Sequence, residues 1–146
     1  MLSMPIAQAD ENMKKVAVLV GVAGSYNAFS LSLYNLKAYA CINPLIKDNW
    51  EIPVIQRPLV NMALRQNILP EMADQIIAYS PELVGFSCYM WNMELFRQLA
   101  AMILEKSPKT RILFGGPEMA MDYALEGKFD DYNIHYCASG EGEQIM

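Results

Sequence analysis

Pro81-Glu82-Leu83-Val84-Gly85-Phe86-Ser87-Cys88-Tyr89-Met90-Trp91-Asn92 decides the fold. Leu83 to Phe86 is an apolar run too short for a buried helix and bounded by Pro81. Such a run reads as a strand buried on both faces, as in the middle of a parallel sheet. Small, polar and aromatic residues follow at once, from Ser87 through Asn92. An amphipathic helix comes next, with Leu95, Phe96, Leu99, Met102 and Ile103 on one face. In open α/β sheets ligands sit outside the carboxyl ends of the strands, so Ser87 to Asn92 is the first place to look for function.

Outward from this strand, the same alternation repeats. Lys15 to Gly21 is a second buried strand, and Gly24-Ser25-Tyr26-Asn27 is its loop. Phe29 to about Cys41 reads as a helix with Leu33, Leu36 and Ala40 at helical spacing, ended by Pro44. Glu51 to Gln56 reads as a strand, placed at or near an edge because Pro53 cannot donate to a ladder. Arg57 to Leu69 is open between a short helix and a covering loop. Pro70 suits a first helical turn, and Met72, Ile76 and Tyr79 give that helix a stripe. Arg111 to Phe114 is the fourth strand, ending in Gly115-Gly116-Pro117-Glu118. A short helix is expected around Met121 to Glu126. Asn133 to Ala138 is the fifth strand, and Ser139-Gly140-Glu141-Gly142-Glu143 opens a helix. Alternating strands and helices imply parallel pairing with right-handed crossovers. The fold class expected is α/β, a doubly wound five-stranded parallel sheet of Rossmann-like or flavodoxin-like type.

Bulk properties set limits. The 146 residues suffice for one domain with a real core. No apolar run approaches the roughly 18 residues of a membrane span. Residues 1–13 read as a flexible arm without the features of a secretory signal, and 14–146 as the domain. The net charge of −5 and the scattered basic residues disfavour nucleic acid as a partner. Cys41, Cys88 and Cys137 are far apart and odd in number, which argues against a disulfide framework or a zinc or iron–sulfur site. A reducing cytoplasm is the expected compartment.

Four loops converge at the carboxyl edge of such a sheet: Val22 to Asn27, Ser87 to Asn92, Gly115 to Glu118 and Ser139 to Glu143. Glycines let backbone approach a ligand. Tyr26, Tyr89 and Trp91 offer broad apolar faces. The mixture suits a large, flat, mostly uncharged ligand better than a polyphosphate.

Val84 to Asn92, Leu113 to Glu118 and Ser139 to Glu143, together with Ser25-Tyr26-Asn27 and the helix bearing Leu33, Leu36, Lys37 and Tyr39, resemble the amino-terminal cobalamin-binding domain of B12-dependent radical SAM enzymes. The resemblance spans about Lys14 to Glu143. It implies cobalamin bound base-off, its nucleotide tail slotted into the carboxyl edge and its ring across the loops. By this resemblance Ser87 matches the serine that approaches the buried dimethylbenzimidazole. Gly115 and Gly116 match the glycine pair that leaves room for the tail, and Gly140 and Glu141 flank its other side. The expected cofactor-binding set is Ser25, Tyr26, Asn27, Ser87, Cys88, Tyr89, Trp91, Gly115, Gly116, Pro117, Gly140 and Glu141.

One departure is informative. The methionine synthase type of B12 domain carries Asp-x-His-x-x-Gly after its first strand, the histidine ligating cobalt. Here Val22 to Asn27 has no histidine, and the sole His135 lies in the last strand. No protein histidine is therefore expected on cobalt. The Cys-x-x-x-Cys-x-x-Cys of a radical SAM core is absent, so a 4Fe-4S cluster and SAM are expected only in a downstream domain of the same polypeptide. The helix left open at Met146 is what the front part of a longer protein would show. Many members of the family that the resemblance points to transfer a methyl group from methylcobalamin, and others perform cyclisations or ring rearrangements.

Simpler readings stand beside these. In these, Ser87 only caps the next helix. Tyr89 and Trp91 plug the sheet's end, and Cys88 is a small buried hydrophobe. Gly115 to Pro117 is a plain turn, and Glu141 and Glu143 only complement a helix dipole. A signalling receiver would need an aspartate where Ser87 stands and an acidic pair near Gly21-Val22-Ala23. A flavodoxin-like carrier would need a hydroxyl-rich phosphate loop after the first strand, where Ser25 is the only hydroxyl before Tyr26. A dinucleotide site lacks its Gly-x-Gly-x-x-Gly. A B12-type scaffold that has lost its cofactor and serves for docking remains open.

Overall fold

The computed structural model describes residues 13–25, 30–59, 68–120, 123 and 125–145. Its strands are β1 (Lys15–Ala23), β2 (Trp50–Glu51), β3 (Val54–Pro58), β4 (Leu83–Ser87), β5 (Arg111–Gly115) and β6 (Tyr136–Ala138). Among the described residues its bounded helices are α1 (Leu31–Ala40), α2 (Pro44–Asn49), α3 (Ile68–Ile77), α4 (Met93–Lys106) and the short α5 (Gly142–Ile145).

All pairings are parallel. The order is β2-β1-β4-β5-β6, with β3 also on β1. β2 and β3 are one edge position interrupted at Ile52-Pro53, where proline supplies no donor. The sheet stays continuous there because the Leu19 N–H donates to the Pro53 carbonyl at 2.9 Å. Six strand segments thus fill five positions. This is the flavodoxin-like doubly wound order, whose switch point lies between β1 and β4.

Period-two alternation gives the two faces of the sheet opposite characters. On one face Val18, Val20, Val22, Val84, Phe86, Ile112 and Phe114 pack against Met72, Ala73 and Ile76 of α3 and Phe96, Leu99, Ala100 and Ile103 of α4. Phe86, Phe96 and Phe114 form an aromatic knot, with centroids 4.8 Å apart for Phe86–Phe96 and 5.2 Å for Phe86–Phe114. On the other face Leu19 packs with Leu33 and Ala40 of α1 and with Ile52. Gly21 lets α1 come close, since a Cβ there would stand 2.8 Å from Leu33 Cδ1. This second face is covered beside β1, while β4 and β5 present Leu83, Gly85, Ser87, Leu113 and Gly115 to open space.

Several boundaries differ from the sequence reading. Pro44 does not simply end the first helix; it opens α2 at N1, after Asn43 Oδ1 accepts the Leu45 N–H at 3.0 Å. The helix that contains Pro70 begins at Ile68 and stops at Ile77, so Tyr79 stands past its end and is exposed. The last strand is shorter than expected, because Asn133 turns with φ 57° and β6 starts only at Tyr136. The arm at 1–12, most of the Arg57 to Leu69 connection, and part of the helix expected near Met121 lie outside the described residues.

Candidate functional site

The open side of the sheet is a cavity of about 770 Å³ running from the carboxyl edge toward the amino ends of β1 and β4. Its floor is a ladder of register partners: Ala17 with Leu83, Leu19 with Gly85, Gly85 with Leu113, and Ser87 with Gly115. Gly115 pairs onward with Ala138. The row Ser87–Gly115–Ala138 at the mouth is therefore made entirely of small residues. On the opposite face the same strands carry Val84, Phe86, Ile112 and Phe114. Bulk is placed where helices cover the sheet and is withheld at the mouth of the cavity.

One wall is Ser32, Leu33 and Leu36 of α1, continued by Ile46, Trp50 and Ile52. The other is Met119, Ala120 and the segment Ser139 to Glu143. Hydroxyls and carboxylates stand near the mouth, while the far end, at Ala17, Leu83, Ile46, Trp50 and Ile52, is apolar. A hollow of this size with few polar groups falls in the roughly 300–1,000 Å³ range of small-molecule sites.

The loops at the mouth are fastened to each other. The Cys88 N–H donates to the Gly115 carbonyl at 2.6 Å, and the Glu118 N–H donates to the Cys88 carbonyl at 3.3 Å. Gly116 has φ +107°, open to glycine and strained for other residues. Tyr89 and Trp91 stack at 4.6 Å with 12° between their planes. The Trp91 indole N–H donates to the Val22 carbonyl at 3.1 Å, and the ring lies over Gly24.

Of the residues expected to hold a cofactor, Ser87, Tyr89, Gly115, Gly116, Pro117, Gly140 and Glu141 line this cavity together. Trp91 does not line it but sits at the β1–β4 switch point. Ser25 closes the described part of the first loop and does not line the cavity, and Tyr26 and Asn27 lie outside the described residues. Cys88 is turned away. It follows Ser87 by one residue, so alternation sends it into the helix-covered core, where it is fully buried. Its Sγ contacts the Phe86 carbonyl, and burial pushes its thiol far above the ordinary value. As a ligand contact Cys88 is corrected; as a small buried hydrophobe it fits. Ser87 does not cap the following helix, whose N-cap is Asn92.

Sequence reading passed over two groups. The apolar lining of Leu19, Leu33, Leu36 and Trp50 reads as ordinary core. Asn92 reads as a loop residue, yet it is fully buried and fully bonded; asparagine just ahead of an amphipathic helix was the available signal.

His135 is not at the mouth. Its backbone N–H donates to the Ile112 carbonyl at 2.9 Å, and its Nδ1 accepts the Ile112 N–H at 3.0 Å. That places it toward the end of β5 opposite Gly115. Among the described residues no three of His, Cys, Asp and Glu gather to hold a metal, and no helix is long and apolar enough to cross a membrane.

A sheet of flavodoxin-like order with an apolar slot opening among the carboxyl ends of β4, β5 and β6 defines a doubly wound α/β domain. The family model for the B12 binding domain matches residues 49–146, and the chain belongs to that family. Over 75 residues it is 32% identical to the cobalamin-dependent radical SAM methyltransferase TokK of Streptomyces tokunonensis. That match covers 50% of this chain and 10% of TokK, so the chain spans about a tenth of that relative's length. Among solved structures, the CheY-like protein TadZ of Pseudomonas aeruginosa matches with TM-score 0.57 at 7% identity, over 90% of this chain and 93% of that one. The response regulator domain of Thermotoga maritima CheB matches with TM-score 0.50 at 16% identity, over 86% and 78%. These two likenesses concern the fold alone. Where a receiver carries its aspartate this chain has Ser87, and the end of β1 is Val22-Ala23, without acidic residues.

Proposed function

We propose that this chain holds cobalamin base-off, with the nucleotide tail in the cavity and the corrin ring over the loops at its mouth. The observation that carries the reading is the small-residue row Ser87–Gly115–Ala138 opening into an apolar slot of about 770 Å³. A flat base fits between glycine-lined strands and the leucines of α1, and its apolar edges lose nothing by leaving water there. Leu19, Leu33, Leu36 and Leu113 exclude water from the tail. The Ser87 hydroxyl, at the mouth, offers it a directed hydrogen bond. Gly115 leaves the space that a side chain would take, Gly116 lets the lip of the slot pack directly on the Cys88 backbone, and Gly140 and Glu141 line the opposing wall. Tyr89, with Trp91 stacked on it, offers an aromatic face at the carboxyl edge. What the cofactor supplies is a cobalt able to carry and surrender an alkyl group.

No histidine ligand reaches cobalt in this reading, which the place of His135 just before β6, bonded to Ile112 near the amino end of β5, and the make-up of the first loop support. The likeness to TokK supports a wider role as the cofactor-holding part of a radical SAM methyltransferase. The 4Fe-4S cluster, SAM and the radical SAM domain that bears them are then the partners of this chain within one polypeptide.

Reconstitution tests the reading. After incubation with hydroxocobalamin and desalting, the protein is expected to retain a corrinoid with base-off absorption bands. A colourless protein would favour a docking scaffold, and retention of FMN in a parallel trial would favour an electron carrier.

A further inference from the structure

Asn92 occupies the N-cap of α4, a position where asparagine ordinarily bonds the helix's own first amides for about 1 kcal/mol. Its side chain makes no such bond. Instead Oδ1 accepts the Tyr89 N–H at 2.8 Å, while Nδ2 donates to the Val22 carbonyl at 3.2 Å and to the Ser87 carbonyl at 3.1 Å. Both hydrogens of the amide are used, in a residue with no exposure to solvent. Val22 lies beyond the last register pair between β1 and β4, Val20 with Phe86. Its carbonyl therefore has no ladder partner on that side, and it accepts both from Asn92 and from the Trp91 indole.

We infer that Asn92 is the positioning residue of the ring-facing surface: it latches the end of β1 to the turn after β4 and so holds the Tyr89–Trp91 stack in place. The inference rests on the cobalamin reading above. An amide is suited to the task because one side chain must give two hydrogen bonds and take one. Asn92 itself lines no part of the cavity; it reaches the mouth only through the backbones of Ser87 and Tyr89, which it holds.

Two corrinoids separate ring from tail. Hydroxocobalamin carries the nucleotide tail, whereas aquocobinamide lacks its base. Binding of each is measured on the unaltered protein, Asn92→Ala and Gly115→Val, with folding followed by circular dichroism and thermal melting. Loss of buried hydrogen bonds is expected to weaken Asn92→Ala by about tenfold for both corrinoids alike. Gly115→Val is expected to weaken hydroxocobalamin alone. A folded Asn92→Ala with unchanged affinities would overturn the inference, as would a loss confined to hydroxocobalamin. Should Asn92→Ala fail to fold, Asn92→Asp carries the comparison: it keeps the size and the acceptor but sets an oxygen against the Val22 and Ser87 carbonyls. If the unaltered protein binds neither corrinoid, the cobalamin reading itself fails and takes this inference with it.

Discussion

A Cβ on Gly116 would stand 2.7 Å from the carbonyl oxygen of Cys88 and 2.8 Å from its nitrogen. The loop after β5 thus lies directly against the backbone that leaves β4, and only a residue without a side chain fits. Gly116→Ala would meet both this contact and the φ of +107°. Its expected cost is about 1–3 kcal/mol, read as a lowered denaturation midpoint. The same substitution is expected to lower corrinoid retention, since one of the slot's lips must move. Unchanged stability would show that the two loops do not meet this closely.

Phe96 tests the other face. It is fully buried and packs on Phe86, with Phe114 edge-on at 6.4 Å. Phe96→Ala should cost about 3–5 kcal/mol, much of the 5–15 kcal/mol typical of a whole domain. Equilibrium unfolding in urea measures this. Gly115→Val, on the cavity face, should lose far less, because a Cβ there meets Ala138 at an ordinary 3.4 Å. Equal losses would contradict the division of the sheet into a packed face and an open one.

Cys88 gives a pH dependence. Burial raises its thiol pKa in the folded state, so the folded chain keeps its proton where the unfolded chain loses it. The stabilisation is complete below the ordinary value of 9.0 and is lost as pH rises above it. The slope due to this group is about 1.4 kcal/mol per pH unit. Stability curves should be nearly flat in this respect at pH 8 and approach this slope only above about pH 10, where the unfolded thiol is ionised, and Cys88→Ala should remove the steepening. Thiol reagents at pH 8 should label exposed Cys137 in the native protein and reach Cys88 only on unfolding. Fast native labelling of Cys88 would place it on the cavity side after all.

Much of this was legible in the chain. Leu83 to Phe86 announces a central strand because a doubly buried strand has no polar face. Pro53 marks the edge because it has no N–H to give. The mouth of the slot is written in Ser87 and Gly115, whose smallness has no use in a plain core. Other features are not local. Leu33 and Leu36 have the spacing of core leucines, and nothing in their identity says that they face a hollow. Asn92 looks like a helix cap until the Val22 carbonyl, 70 residues earlier in the chain, is seen to need a donor. Cys88 stands beside Ser87 in sequence, yet alternation along the strand sends it to the opposite face. Pro44 can stop one helix and start the next, and only the packing around it decides between the two.

The central claim is that the slot between Ser87 and Gly115 receives the tail of a corrinoid. The most direct measurement is the visible spectrum of desalted protein after incubation with hydroxocobalamin, recorded beside that of Gly115→Val. A stoichiometric base-off spectrum that Gly115→Val abolishes, with the variant still folded, is the expected result. A base-on spectrum, or equal retention by the valine variant, would mean that the tail lies elsewhere.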